Sequence, residues 1–285
     1  MPAIDARTQL FGLIGYPLGH TLSPALHNAA LAATGVNGVY LALPTPPERL
    51  ADALAAMRAW SVAGLNVTVP HKVAVMPFLD AIAPEAERIG AVNTVSREGD
   101  RLIGHNTDFQ GFLAMLDGVA KLERAVILGA GGSSRAIAYA LVQAGAKTVT
   151  FAVRRPGASQ DVVAAMGAPD VRWQEVRFAS PELDAALEGA DVLVNTTPVG
   201  MSPHIDDSPL DSRGLARLPS HAAVLDLIYN PSETRLMRLA KERGLQTRNG
   251  LPMLIAQAAA AFTIWTGKQA PEAAWQDALH GILER

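Results

Sequence analysis

The stretch Ala125-Val126-Ile127-Leu128-Gly129-Ala130-Gly131-Gly132-Ser133-Ser134-Arg135-Ala136 constrains the fold more than any other part of the chain. Three branched apolar residues in a row suit a strand buried on both faces, as in parallel sheets, and they run directly into a glycine cluster. Gly129 lets the chain turn sharply. Gly131 and Gly132 carry no side chain to hold the backbone away from a ligand's phosphates. Ile137, Ala140, Leu141 and Ala144 then recur at helical spacing and Gly145 offers a stop, so free N–H groups at the helix start would face a pyrophosphate. Ser134 stands where the full G-x-G-x-x-G fingerprint has its third glycine, and a ligand-free strand-to-helix turn is the alternative.

The rest of the sequence narrows the choice. Its 285 residues suit about two domains, and 49% hydrophobic with 18% charged residues suits an ordinary folded chain. A formal net charge of -3 without a long basic run argues against a nucleic-acid or membrane-surface partner and for a small molecule. With no cysteine, disulfides, thiolate metal sites and a cysteine nucleophile are excluded. Four early histidines, His20, His27, His71 and His105, lack metal-ligand spacing, so no metal is expected. The N-terminal residues lack the order of a signal peptide, and the apolar run Leu251 to Trp265 is too short to span a bilayer, so a cytoplasmic protein is expected.

In chain order, a first strand is predicted over Leu10 to Gly15, followed by a helix with Ser23 as N-cap and Pro24 at its first position. Strands follow at Val39 to Leu43, Gly64 to Pro70 and Ala91 to Val95, the last paired with Leu102 to Gly104; a helix runs from Glu48 to Trp60, with Leu50, Leu54 and Met57 on one face. From Val126 onward the rhythm is β-α-β, with strands near Val149, Val171, Val192 and Val224. Two helices, Met253 to Thr266 and Pro271 to Leu283, have no strand between them and should return to the first domain. The expected class is α/β: an N-terminal α/β substrate domain, residues 1–108 and 250–285, and a Rossmann-like dinucleotide-binding domain, residues 109–249.

Two polar sets stand out. Asn66 and Thr68 share one side of a predicted strand and Lys72 follows on the next turn, a combination of amide, hydroxyl and ammonium suited to a polyhydroxylated ligand; a wet edge strand with a solvated lysine is the alternative. Asn93, Asn106 and Asp108 are common turn residues, yet Asp108 opposite Lys72 would stabilise its charge. The strand that follows the glycine helix ends in Arg154-Arg155 rather than an acidic residue. Two guanidiniums there suit a ribose 2′-phosphate and point to NADP rather than NAD, a solvated basic turn being the alternative. Asn195-Thr196-Thr197-Pro198 is a polar loop placed to lie over a cofactor.

Eight motifs in order now accumulate: Gly15-x-Pro17-x-x-His20-x-x-Ser23-Pro24-x-x-His27-Asn28, Asn66-Val67-Thr68-Val69-Pro70-His71-Lys72, Gly90-Ala91-Val92-Asn93-Thr94, Asn106-Thr107-Asp108, Gly129-Ala130-Gly131-Gly132, Asn195-Thr196-Thr197-Pro198-x-Gly200-Met201, Asp226-x-x-Tyr229-x-Pro231 and Gly250-x-x-Met253-Leu254-x-x-Gln257. Together they span essentially the whole chain, which resembles the shikimate dehydrogenase family. The resemblance implies an oxidoreductase that reversibly reduces 3-dehydroshikimate to shikimate with NADPH, on the route to aromatic amino acids, as a monomer or homodimer. It implies that Thr21 and Ser23, with Tyr229 nearby, hold the substrate carboxylate. Asn66, Thr68, Asn93, Asp108 and Gln257 would hold ring hydroxyls, and Lys72 with Asp108 would form the catalytic pair. Gly129, Ala130, Gly131, Gly132, Ser133, Arg154, Arg155, Leu227 and Gly250 would contact the cofactor. Thr21 replaces the usual serine, and Val153-Arg154-Arg155 replaces the usual Asn-Arg-Thr. Two alternatives stay open: an NAD-dependent quinate/shikimate dehydrogenase, and a non-catalytic nucleotide-binding sensor, against which the presence of both Lys72 and Asp108 argues.

Overall fold

A computed structural model describes residues 4–19, 21–271, 273–275, 278 and 279. By its described residues the chain divides into two compact units, residues 1–107 with 255–285, and residues 108–254.

The first unit opens with β1 (Gln9–Gly15), α1 (Ser23–Ala33), β2 (Gly38–Pro44), α2 (Leu50–Ala59), β3 (Gly64–Val67) and α3 (His71–Ala74). It continues with β4 (Ala81–Ile82), α4 (Pro84–Ile89), β5 (Thr94–Glu98) and β6 (Arg101–His105). Its six strands lie in the order β2-β1-β3-β5-β6-β4. β1 runs parallel to both β2 and β3, whereas β5 runs antiparallel to β3 and β6. The carboxyl ends of β1 and β3 and the start of β5 therefore meet at one end of the sheet's inner strands. Leu50, Leu54 and Met57 of α2 pack with Leu65 and Val67 of β3 in one core cluster, and truncating such a side chain to alanine costs roughly 2–5 kcal/mol.

The second unit contains α5 (Asp108–Met115), β7 (Arg124–Leu128), α6 (Gly132–Gln143), β8 (Thr148–Val153), α7 (Gln160–Met166), β9 (Arg172–Arg177), α8 (Pro181–Glu188), β10 (Val192–Asn195), α9 (Ser212–Leu215), β11 (Ala223–Asp226), α10 (Arg235–Lys241) and β12 (Gln246–Arg248). All its strand pairs are parallel, in the order β12-β11-β10-β7-β8-β9. Read from β7 outward this is the doubly wound dinucleotide-binding order, whose direction reverses between β7 and β10. Ligands of such sheets bind beyond the carboxyl ends of the strands at that reversal.

α11 (Leu251–Thr266) begins in the second unit and from Ile255 belongs to the first. There Trp265 donates from Nε1 to the Val95 carbonyl at 3.1 Å and lies against Phe11 and His27. A Cβ on Gly64 would come within 2.4 Å of the Trp265 ring, so the strand there has no room for a side chain. Trp275 Nε1 donates to the Leu26 carbonyl at 2.7 Å, a second tie between the returning segment and the first unit. Among the described residues no helix is long and apolar enough to cross a membrane.

Several boundaries differ from the sequence expectation. The strand expected over Gly64 to Pro70 ends at Val67, and it lies between β1 and β5, so the wet-edge alternative fails. The strand expected from Ala91 begins at Thr94, because residues 91–93 are held as a buried loop by side-chain bonds. The helix after Pro47 opens with a 3-10 turn, Pro47–Arg49. The polar strand β12 lacks any apolar pattern and is not expected from the sequence. His20 and most of the helix expected over Pro271 to Leu283 lie outside the described residues.

Candidate active site

In the first unit the candidate substrate residues gather where β1, β3 and β5 meet. Ser23 is the first residue of α1, and its hydroxyl makes no capping bond, contrary to expectation. Helical geometry at Ser23 turns the hydroxyl instead toward Thr21, whose Oγ1 donates to Ser23 Oγ at 3.2 Å and accepts from the Ser23 amide at 3.3 Å. The two hydroxyls thus form one polar corner beside a helix start, where an anion is favoured.

Asn66, 5% exposed, lies on the inner strand β3. Its Oδ1 accepts from the Tyr40 hydroxyl at 2.7 Å, and its Nδ2 donates to the Asn93 carbonyl at 3.3 Å and to Thr94 Oγ1 at 3.1 Å. Asn93 Nδ2 donates to Thr107 Oγ1 at 2.9 Å and its Oδ1 accepts from the Thr107 amide at 2.7 Å. Asn106 is tied back by Nδ2 to the Ala91 carbonyl at 2.9 Å. Thr68, half-buried, leaves its backbone bonded to Ile14 and His71 and its methyl packed toward Gly15.

Lys72 lies in α3 and is 9% exposed. Its carbonyl accepts from the Val92 amide at 2.8 Å, which sets the lysine turn beside the Asn93 loop. α3 itself is held by His71, whose ring Nε2 meets the Thr45 carbonyl at 2.7 Å. A lysine this sheltered is unusual, since desolvation penalises its charge unless partners stabilise it. Gln257 is half-buried on α11 in the same unit. Asp108 opens α5 in the second unit and is 5% exposed, a carboxylate at a helix N-terminus, where the dipole favours it.

The glycine turn of the second unit has the geometry its sequence implies. Gly129 takes φ +101°, and a Cβ there would sit 3.0 Å from both Thr196 and Thr197. A Cβ on Gly131 would meet nothing within 4 Å, which leaves open space at the start of α6. α6 starts at Gly132 with no side-chain cap on its first turn, and a helix start of this kind favours an anion. Ser134, in the place of the third glycine, is buried and donates to the Gly131 carbonyl at 2.6 Å, closing the turn from within. Ala130, Gly132 and Ser133 are half-buried around it. Arg154 and Arg155 are exposed just past the end of β8, and the loop behind them is pinned where Glu175 accepts from the amides of Gly157 and Ser159. The unit therefore fits a phosphorylated dinucleotide: glycine space and helix N–H groups for a pyrophosphate, with guanidiniums beyond the next strand.

Two further loops flank the reversal point. Asn195 ends β10, and its Oδ1 accepts from the amide and hydroxyl of Thr197 at 3.0 and 2.7 Å. Its Nδ2 donates to Asp226 Oδ1 at 3.0 Å. Asp226, fully buried, also accepts from the Ile228 amide at 3.1 Å and from Thr234 Oγ1 at 2.7 Å. Burial pushes its carboxyl up to about 6 even though these three donors pull the other way. The next residues include Leu227 and the half-buried Tyr229. Gly250 packs directly on this loop: a Cβ there would lie 2.0 Å from the Leu227 carbonyl oxygen, and its amide donates to the Ile228 carbonyl. Leu227 and Gly250, more than twenty residues apart in sequence, are neighbours.

Sequence reasoning gave three residues, Tyr40, Asn28 and Asp226, no role of their own. Tyr40 and Asn28 look like a core aromatic and a helix-surface amide. Asn28 in fact grips the Tyr40 backbone from both sides, accepting from its amide at 2.9 Å and donating to its carbonyl at 2.8 Å. Asp226 stands out in the sequence only within a motif, and its polar partners come from strands and loops far apart along the chain.

Comparison with known proteins gives matches at both ends of the chain. Residues 13–95 match the shikimate dehydrogenase substrate binding domain, and residues 250–280 match the shikimate 5′-dehydrogenase C-terminal domain. A protein of Symbiobacterium thermophilum named shikimate dehydrogenase (NADP(+)) is 44% identical over 281 residues, covering 97% of this chain and 95% of its own. The crystal structure of shikimate 5-dehydrogenase from Thermus thermophilus in complex with NADP(H) and shikimate is similar with a TM-score of 0.83 and 39% identity, covering 96% of this chain and 99% of that one. That of the Listeria monocytogenes shikimate 5-dehydrogenase in complex with shikimate and NAD is similar with a TM-score of 0.89 and 33% identity, covering 98% and 99%. Identity of this extent along nearly the whole length, on a fold of the same architecture, means that the chain belongs to the shikimate dehydrogenase family.

Proposed function

We propose that the chain is an NADP-dependent shikimate dehydrogenase, catalysing the reversible reduction of 3-dehydroshikimate to shikimate. The observation that carries this reading is the buried polar shelf of Asn66, Asn93 and Lys72 in one unit, in a chain 44% identical to a relative named for that activity with NADP(+). NADPH, when bound, supplies the hydride. Lys72 delivers a proton to the C3 oxygen in reduction and withdraws it in oxidation, and Asp108 supports its charge. Thr21 and Ser23, with Tyr229, hold the carboxylate, while Asn66, Thr68, Asn93, Asp108 and Gln257 hold ring hydroxyls. Gly129, Ala130, Gly131, Gly132 and Ser133 would hold the pyrophosphate of NADP, Arg154 and Arg155 its 2′-phosphate, and Leu227 and Gly250 would also contact the cofactor.

In this reading residues 1–108 and 250–285 serve the substrate and residues 109–249 the cofactor, in a cytoplasmic enzyme acting as a monomer or homodimer on the route to aromatic amino acids. The NAD-using alternative draws on the Listeria monocytogenes protein, which is similar and was crystallised with NAD. Shikimate-dependent formation of NADPH by the purified chain tests the proposal. No turnover of shikimate with either nucleotide would instead favour a nucleotide-binding sensor on the same fold.

A further inference from the structure

Tyr40 is fully buried in β2, and its position is fixed from three sides. The Asn28 amide holds its backbone. His27 stacks on its ring at 4.4 Å with planes 14° apart, and Trp265 lies 6.1 Å away. An apolar slot of this kind keeps the phenol protonated, because burial disfavours the phenolate. The hydroxyl is its one polar side-chain atom and lies at the substrate shelf, where it donates to Asn66 Oδ1 at 2.7 Å and meets the Ser23 side chain.

The hydrogen-bond inventory of Asn66 then becomes restrictive. An amide has two N–H donors and two oxygen lone pairs. Both donors are engaged, by the Asn93 carbonyl and Thr94 Oγ1. The Asn93 carbonyl can only accept, so the nitrogen must face it and the oxygen must face Tyr40. Tyr40 takes one lone pair of Oδ1, and the neighbouring His27 ring, neutral in its buried place, also approaches the amide. Asn66 is thereby preset to accept from a hydroxyl and cannot turn to donate to a carbonyl without breaking the network.

We infer that Tyr40 is a positioning residue for the substrate: its hydroxyl locks the Asn66 amide so that Oδ1 faces a ligand hydroxyl. The inference rests on the proposed function, which makes Asn66 a ring-hydroxyl contact. Tyr40→Phe removes one oxygen and keeps the ring between His27 and Trp265. The expected result is a rise of about 5- to 20-fold in KM for shikimate, the range of one hydrogen bond. KM for NADP should stay within about twofold and kcat should change less than KM, the pattern of lost substrate binding. A double-mutant cycle separates positioning from packing: with Asn66→Ala already present, Tyr40→Phe should add at most about twofold. An unchanged shikimate KM in Tyr40→Phe, or a full effect that persists beside Asn66→Ala, overturns the inference while leaving the proposed function standing. A wild-type protein that neither binds nor oxidises shikimate overturns the proposed function, and this inference with it.

Discussion

Asn195 Nδ2 donates to Asp226 Oδ1 at 3.0 Å across the paired ends of two adjacent parallel strands, β10 and β11. The same asparagine holds Thr197 and the same aspartate holds Ile228 and Thr234, so one side-chain bond joins the loops at Thr196-Thr197 and Leu227-Tyr229. Removing the carboxyl should loosen both. Asp226→Ala is expected to raise KM for NADP about tenfold and to cost about 2–4 kcal/mol of stability, read by initial rates and urea unfolding.

Charge at Asp226 gives a separate outcome. Its folded carboxyl is raised to about 6 from 3.8, so the folded state binds the extra proton between those values. The stability this contributes is fully present below about pH 3.8 and is lost as pH rises through 6. Asp226→Asn, which keeps the shape, should be relatively more stable than wild type at pH 7.5 than at pH 4.5. Equal differences at the two pH values would place the ionisation elsewhere.

His27 works in the opposite direction. Burial pushes its imidazole down to about 3 from 6.5, the Asn66 side chain pulling weakly the other way. The unfolded chain takes up this proton first as pH falls, so stability is full above pH 6.5 and is lost toward pH 3, at up to about 1.4 kcal/mol per pH unit. His27→Phe removes the titrating group and keeps a ring against Tyr40. Unfolding curves between pH 7 and pH 4 should be flatter for the variant than for wild type.

Two glycines are expected to fail for different reasons. Gly131 sits at φ -85°, which any residue adopts, and faces open space. Gly131→Ala should therefore leave Tm nearly unchanged yet raise KM for NADP ~10-fold, because the methyl occupies the approach of the phosphates. Gly250→Ala would place a Cβ 2.0 Å from the Leu227 carbonyl oxygen and should lower Tm sharply. A Gly131→Ala protein with unaltered cofactor kinetics would remove the pyrophosphate from that turn.

The doubly wound sheet was legible because each inner strand is a short apolar run closed by turn residues, as at Val126 to Gly129 and Val192 to Thr196. Strand β12, Gln-Thr-Arg, was not, since a polar edge strand of three residues has no period to read. At the site, residue types pointed to Asn66 and Lys72, but what orients them came from distant partners. Tyr40 reads as an ordinary core aromatic until its hydroxyl is seen on Asn66, 26 positions away. Ser23 looks like a cap in the sequence because Ser-Pro fits a helix start equally well with the serine inside the helix. Local pattern fixes an element's type better than the direction of a side chain at its end.

Lys72 carries the proposed proton transfer. Lys72→Ala is expected to lower kcat ~10²-fold or more while leaving shikimate binding little changed, in steady-state kinetics paired with a direct binding titration. Loss of binding with kcat retained would make the lysine a substrate anchor instead.

The most direct measurement is kcat/KM for shikimate and for quinate, each with NADP and with NAD, on the purified wild-type chain. Shikimate with NADP is expected to be the best pair, ahead of shikimate with NAD by ~10-fold or more, the worth of charge-assisted bonds from Arg154 and Arg155 to a 2′-phosphate. A higher value for quinate with NAD than for shikimate with NADP would contradict the proposed function.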